Sequence, residues 1–530
     1  MFRRGRWTPL AVAIAAVVAL TACEDEVIPP ATDDVPVQPA TPTVAEQGGA
    51  LVVTWVAVTG ADAYDVQRQE ATGGATFSTI AADQTGTSYT DNTAAAGTTY
   101  NYRVIAKNSA GSSTPSDPAP GEVGVAQTNL SGSITGNVTL NADTVYIITG
   151  VVTVDSGAVL NIPEGTVLKG STSVTPSALM VRQGGQLFSN GTAANPVVFT
   201  SNAPEGQRAR GDWGGVVING YSQCNFPADD CVGEGASGPY GGSILDDNSG
   251  SMTYTRVEFA GFEVSFGNEL NALTLNGVGS GTTLHHIQTH MGSDDGFEWF
   301  GGTVDLMYGI ATGISDDSFD YSTGWSGRGQ FWIAQQDPDD ADNGFEVDGN
   351  EEDFDAMPLT DPTIYNVTLV GKGLDGQGGT DGESNDGMRL RRGTSGDIFN
   401  AIVIGFGSDG VDVDNVETVG RYSVQNSIIS RKNDDIEGND DLGDTVAFQD
   451  SVEMNAAWNN LVGAAADPLL ADAFNRTAPD LRPGAGSPAL AGFATPPDDG
   501  FFDITVDFIG AVDPAAATQW FEGWTTFAQN

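Results

Sequence analysis

Positive charge is what this 530-residue chain has least of. Lys and Arg together number 21 against 70 Asp and Glu, giving a formal net charge of -49. Such a surface repels a phosphate backbone, so nucleic acid is excluded as a partner. A polyanionic glycan could approach only through a local basic patch or a bridging cation. Cysteine and histidine are nearly absent, at three residues each, which leaves little material for a thiolate or imidazole metal centre. Helix-period apolar patterning is missing, and the only long apolar stretch is Leu10–Leu20, too short to span a bilayer stably. The acids are not a mark of disorder, because they are dispersed and 39% of the chain is hydrophobic. With 69 glycines for tight turns, the composition points to an all-β protein, and the length to two or more domains or a long repeat array.

The amino-terminal segment has a positive region (Arg3, Arg4, Arg6), the apolar run, and then Leu20-Thr21-Ala22-Cys23. It resembles the signal peptide and lipobox of bacterial lipoproteins. That resemblance implies cleavage before Cys23, acylation of its thiol and anchorage to a lipid bilayer. The expected location is the outer membrane, with the protein displayed at the cell surface. Residues 1–23 are the signal and lipidated cysteine, and the Pro-rich 24–42 is a tether. In an oxidising compartment the remaining thiols, Cys224 and Cys231, are expected to form a local disulfide.

Residues 43–122 alternate apolar and polar positions in short runs such as Leu51–Trp55, Ala63–Arg68 and Thr99–Lys107, with Gly-containing turns between them. This segment resembles a fibronectin type III domain, with Trp55 at the core tryptophan position and Tyr100 at the tyrosine corner.

From residue 130 the strands become short, Val/Ile-rich and punctuated by Gly. A self-similar series follows: SDDGFEW at 293, SDDSFDY at 315, DNGFEVD at 342, NDGMRLR at 385, SDGVDVD at 408 and NDDIEGN at 433. Aligning Asp295, Asp317, Asn343, Asp386, Asp409 and Asp434 gives spacings of 22, 26, 43, 23 and 25, where 43 reads as two turns. A period of this kind with one strand signature per turn means a solenoid. Residues 130–530 resemble secreted or surface bacterial proteins of the right-handed parallel β-helix, pectate-lyase-like type, with closing motifs at Asp480–Leu490 and Trp520–Trp524. The expected division is a β-helix over 130–492 and a capping segment over 493–530.

Stacked coils bring equivalent side chains into ladders about 4.8 Å apart. The acids of the series therefore either cap turns or hold cations. The cation reading assigns calcium to Asp294, Asp295, Glu298, Asp316, Asp317 and Asp320, since hard oxygen ligands suit that ion. Arg389 and Arg391 share a strand face, placed either to hold an anionic sugar or to pair with neighbouring acids. His290 could join Asp294, Asp295 and Glu298 in a shallow site, or simply lie on a polar strand face. Trp325, in a Gly-rich stretch, is the aromatic most expected to be exposed for sugar stacking, the alternative being a stack inside the solenoid. No catalytic residues can be assigned. Three functions fit: a non-catalytic surface lipoprotein that binds a glycan or another extracellular ligand, a calcium-dependent polysaccharide lyase or hydrolase, and a structural surface component. No organic cofactor is implied.

Overall fold

The computed structural model describes residues 34–530 apart from 73, 229, 374–384, 431–454 and 464–465. Cys23 and the signal, residues 24–33 of the tether and Asp434 lie outside the described residues. The chain divides into two compact units, Met1–Gly124 and Val125–Asn530.

The first unit is an antiparallel sandwich. Thr43–Gln47, Ala50–Thr54 and Ser88–Asp91 form one sheet. Ser78–Gln84, Ala63–Glu70 and Thr99–Asn108 form the centre of the other. Strand Thr99–Asn108 alternates buried and half-buried positions along most of its length, as a strand with one face on a core must. Trp55, Tyr64, Val66, Tyr100, Tyr102 and Val104 fill that core. A buried carboxylate, Asp91, is satisfied by the Tyr102 hydroxyl at 2.8 Å and Arg68 at 2.7 Å, which is the condition for tolerating a charge there.

The second unit is a parallel β-solenoid whose strands join one 24-stranded sheet wound over itself. One face is built by Ala178–Val181, Val216–Asn219, Leu273–Asn276, Phe297–Phe300, Phe319–Ser322, Phe345–Asp348, Met388–Arg391 and Val411–Val413, each parallel to the next. The rest of each coil is a longer, bent strand: Gly250–Glu258, Thr283–His290, Leu306–Thr312, Arg328–Gln335, Thr363–Val370 and Gly396–Ile404. The bend falls at a left-handed residue in every one of these six strands: Tyr254, His286, Tyr308, Phe331, Asn366 and Asn400, with φ between 43° and 61°. For residues other than glycine this conformation is costly. Repetition compensates at four of the six, whose rings stack on one another, while Asn366 and Asn400 hydrogen-bond through their side chains. Tyr254, His286, Tyr308 and Phe331 make a ring column with centroid separations of 4.3, 4.2 and 4.8 Å.

The carboxy-terminal segment runs back along this corner. Asn400 exchanges hydrogen bonds with Ala494 in both directions, at 2.8 and 2.7 Å, and Asn366 donates to the carbonyls of Phe508 and Gly510. Trp520 and Trp524 close over the ring column, meeting His286 edge-on at 5.8 Å each.

Inside the coils, Phe297, Trp299, Phe319, Trp325 and Trp332 form a continuous aromatic stack, with Trp299 5.1 Å from Trp325 and 5.3 Å from Trp332. Trp325 is fully buried. The expectation that it is exposed is corrected: its indole N–H donates to the Val304 carbonyl at 3.1 Å, and the ring occupies the space that a side chain at Gly327 would need. The 43-residue spacing is also corrected. Phe345–Asp348 pairs directly with Met388–Arg391, so the interval is one coil enlarged by insertions rather than two turns.

Candidate ligand-binding cleft

Each coil enters the first face through the acidic turn, and there the carboxylates have a definite task. The Asn271 side chain accepts the N–H of Asp295 at 3.1 Å, Asp295 that of Asp317 at 3.0 Å, and Asp317 that of Asn343 at 2.7 Å. Asn343 in turn accepts from Asp386 at 3.1 Å, and Asp386 from Asp409 at 2.9 Å. Every link satisfies a backbone donor that would otherwise be orphaned in a buried turn. Asn performs this as well as Asp, so the hydrogen bond does not require the charge.

The charge has consequences of its own. Carboxylate oxygens of Asp294, Asp295 and Asp316 lie within 4.8 Å of one another, as do those of Asp295, Glu298 and Asp320, and those of Asp316, Asp317 and Asp342. Burial, reinforced by neighbouring carboxylates, pushes Asp294, Asp295, Glu298, Asp316, Asp317 and Asp320 well above the usual carboxylate range. All six residues assigned to calcium in the sequence are thus brought together, and their oxygen-only donor set fits a hard cation.

The outward side of the first face carries a second row, Glu298, Asp320, Glu346, Arg389 and Asp412, aligned coil by coil. The arginines are engaged by it. Arg389 lies 3.4 Å from Asp414 and 3.8 Å from Asp412. Arg391 bonds Asp348 at 2.6 Å and also pairs with Glu346, while Arg392 reaches Asp348 at 2.5 Å. Between the two alternatives for Arg389 and Arg391, the geometry is that of pairing with acids of adjacent coils.

A cleft of about 560 Å³ opens over this face. Its floor includes Glu298, Phe300 and Asp320, and one end is formed by Asp348, Arg391 and Arg392. The other wall is an excursion between Val216–Asn219 and Gly250–Glu258 that contributes Phe226, Asp230, Glu234 and Tyr240. This excursion is tied by the Cys224–Cys231 disulfide, with the α-carbons 6.5 Å apart. It is fastened to the coils by Gln223, which donates to the Gly324 carbonyl at 2.7 Å, and by Asn350, which donates to the Asn225 carbonyl at 3.1 Å. Glu234 is pushed up to about 7 by burial and by Glu269.

Of the predicted site residues, Glu298, Asp320 and Arg391 line the cleft. His290 does not belong with Asp294, Asp295 and Glu298 in a shallow site. It is buried under the carboxy-terminal segment, with one ring nitrogen on Thr312 and the other on the Ala528 carbonyl, both at 2.7 Å. The sequence reading missed Glu234, Tyr240 and Phe226. The cysteine pair was the available signal, since Phe226 and Asp230 fall between its members.

A family profile described as pectate-lyase like beta helix domain matches residues 132–468, and a fibronectin type III profile matches residues 37–122. The chain belongs to the pectate-lyase like beta helix family, preceded by a fibronectin type III domain. No curated protein matches. Among solved structures, the chain is similar to an Fn3-like protein from Clostridium thermocellum, at 32% identity over 17% of this chain and 90% of that one, with a TM-score of 0.15. It is similar to the twitchin kinase region from C. elegans at 28% identity, over 17% of each chain, with a TM-score of 0.16. A human fibronectin type III domain is 26% identical over 18% of this chain and 93% of that one, with a TM-score of 0.16. The domain pair is that of a surface or carbohydrate-related protein.

Proposed function

We propose that this is a surface-displayed lipoprotein, anchored to the outer membrane through acylated Cys23, whose β-helix holds an extracellular glycan in the cleft without cleaving it. The observation that carries this reading is the cleft itself: an aromatic and carboxylate-lined groove on the outer face of a rigid solenoid, with both of its arginines occupied by acids. Phe226, Phe300 and Tyr240 offer faces and edges for a sugar ring. Lyase chemistry on a β-helix needs an unencumbered base beside the sugar, and Arg391 spends its fork on Asp348 and Glu346. Calcium at the turn, held by the Asp294, Asp295 and Asp316 group and the Asp316, Asp317 and Asp342 group, would neutralise the corner of the fold.

A second reading, a calcium-dependent polysaccharide lyase or hydrolase, is favoured by the clustered carboxylates beside the same cleft. One experiment tests both. The mature protein is incubated with neutral, amine-bearing and uronate-containing polysaccharides, with and without calcium. Retention of a polysaccharide without new reducing ends or unsaturated products supports the binding module. Turnover abolished by Arg391→Ala would replace that reading with the lyase.

A further inference from the structure

The floor of the cleft is short of positive charge. Glu298 is only 5% exposed, yet it lines the cleft. Its Oε2 accepts from the Asn271 amide. Asp320, aligned with it on the next coil, has its Oδ1 buried with no hydrogen-bond partner. Oxygens of these two side chains lie within 4.8 Å of each other. The guanidinium whose charge reaches Asp320 is that of Arg391, but its hydrogen bonds go to Asp348 and its other ion pair to Glu346.

Two neighbouring carboxylates, one buried and the other half-buried with an oxygen that has no hydrogen-bond partner, are costly unless something positive completes them. The surroundings argue for an organic cation rather than a bare ion. The space above the pair is about 560 Å³, large enough for sugar rings, and its walls carry Phe226, Phe300 and Tyr240. Asp230, Glu234, Glu351 and Glu352 line the same cleft, so an anionic sugar would meet repulsion along most of it, away from the acid-paired Arg391 and Arg392. A primary ammonium has three donors, and at about 2.9 Å per hydrogen bond it can reach both Glu298 and Asp320 at once.

We propose that the cleft selects a saccharide bearing free primary amines, its ammonium seated between Glu298 and Asp320 and its ring against the aromatic wall. This rests on the reading of the cleft as a glycan-binding site and adds the ligand's charge and functional group. The neutral N-acetylated form of the same sugar lacks the ammonium and leaves the two carboxylates without a cation, which is the kind of mismatch that gives strong discrimination.

The test uses the full mature protein, with calorimetric titration of a glucosamine oligosaccharide and of its fully N-acetylated counterpart, each in calcium and in chelator. The expected result is that the free-amine form binds at least about tenfold tighter in both media. Glu298→Gln and Asp320→Asn should each remove that preference while leaving the melting temperature within a few degrees. Equal binding of the two oligosaccharides, unaffected by either variant, would overturn the amine assignment and leave a glycan-binding cleft standing. Binding seen only with calcium would overturn it in favour of a metal-bridged ligand. No binding of any saccharide would remove both this proposal and the function on which it rests.

Discussion

Replacing Asp386 by Asn should stabilise the solenoid at alkaline pH, and the size of the effect can be worked out. Asp386 is 7% exposed, and its side chain accepts the Asp409 N–H at 2.9 Å and also a hydrogen bond from the Ser408 side chain. Burial raises its titration from an ordinary 3.8 to about 7, opposed by the Asp409 N–H hydrogen bond, the Arg389 charge and the Ser408 hydroxyl, while the Asp409 charge adds to the shift. The folded value lies above the unfolded one, so the protonated carboxyl favours folding. That contribution is fully present below about pH 4 and is lost as pH rises through about 7. At about 1.4 kcal/mol per pH unit, the folded state at pH 8 carries a penalty on the order of 4 kcal/mol for holding this charge. Asn keeps the accepting oxygen and removes the charge, as Asn271 and Asn343 already do at equivalent rungs. Urea unfolding in chelator should therefore show Asp386→Asn more stable than the parent at pH 8, by up to about 4 kcal/mol, and equal to it near pH 4. Asp386→Ala should fall below the Asn variant by about 1–3 kcal/mol at both pH values, because the Asp409 N–H loses its acceptor. If Asn and Ala lose stability alike, the ladder is not held by the side-chain oxygen and the argument fails.

Further outcomes follow from the same geometry. With Asp294, Asp295, Asp316 and Asp317 all displaced upward, stability in chelator should decline as pH rises through the neutral range. Millimolar calcium should restore it at pH 8, measured as a rise in melting temperature. Trp332→Ala, which removes a fully buried indole stacked on Trp299 and Phe319, should cost about 3–5 kcal/mol in unfolding free energy. Opening the disulfide by Cys224→Ser with Cys231→Ser frees a short loop, whose closure is worth about 2.5 kcal/mol on the chain-entropy relation. It should loosen the cleft wall and weaken ligand binding while leaving the unfolding of the coils almost unchanged. His290→Ala, which removes the bond to the Ala528 carbonyl, should make the last residues more accessible to protease without altering the aromatic stack.

The solenoid was legible because its signal is local and repeated. The F-x-W, F-x-Y and F-x-V triplets after each acidic turn alternate inward and outward as a strand must, and they recur once per coil. What was not legible depended on segments far apart in sequence. Trp325 sits beside glycines, and only the neighbouring coils reveal that its ring completes a buried stack. His290 looked available because the covering residue, Ala528, lies 238 positions away. The cleft joins residues from 226 to 392, and no periodicity connects an excursion between coils with the face it overhangs. Read as spacing alone, the 43-residue gap gave two turns; strand pairing shows one enlarged coil.

The returning carboxy-terminal segment has a consequence for how the protein is made. The ring column at the corner, from Tyr254 to Phe331, is complete once its coils exist, but its cover is supplied by Trp520 and Trp524. Those residues are synthesised after every coil they cover. Until they emerge, a stripe of aromatic rings and the donors of Gln288 and Asn366 face water, awaiting carbonyls of Thr526 and Phe508. Coil growth can proceed by nearest-neighbour addition, whereas sealing the corner is a single long-range event. A chain cut short before residue 520 would thus be well wound and still adhesive, and quality control could distinguish finished from unfinished molecules by that stripe alone.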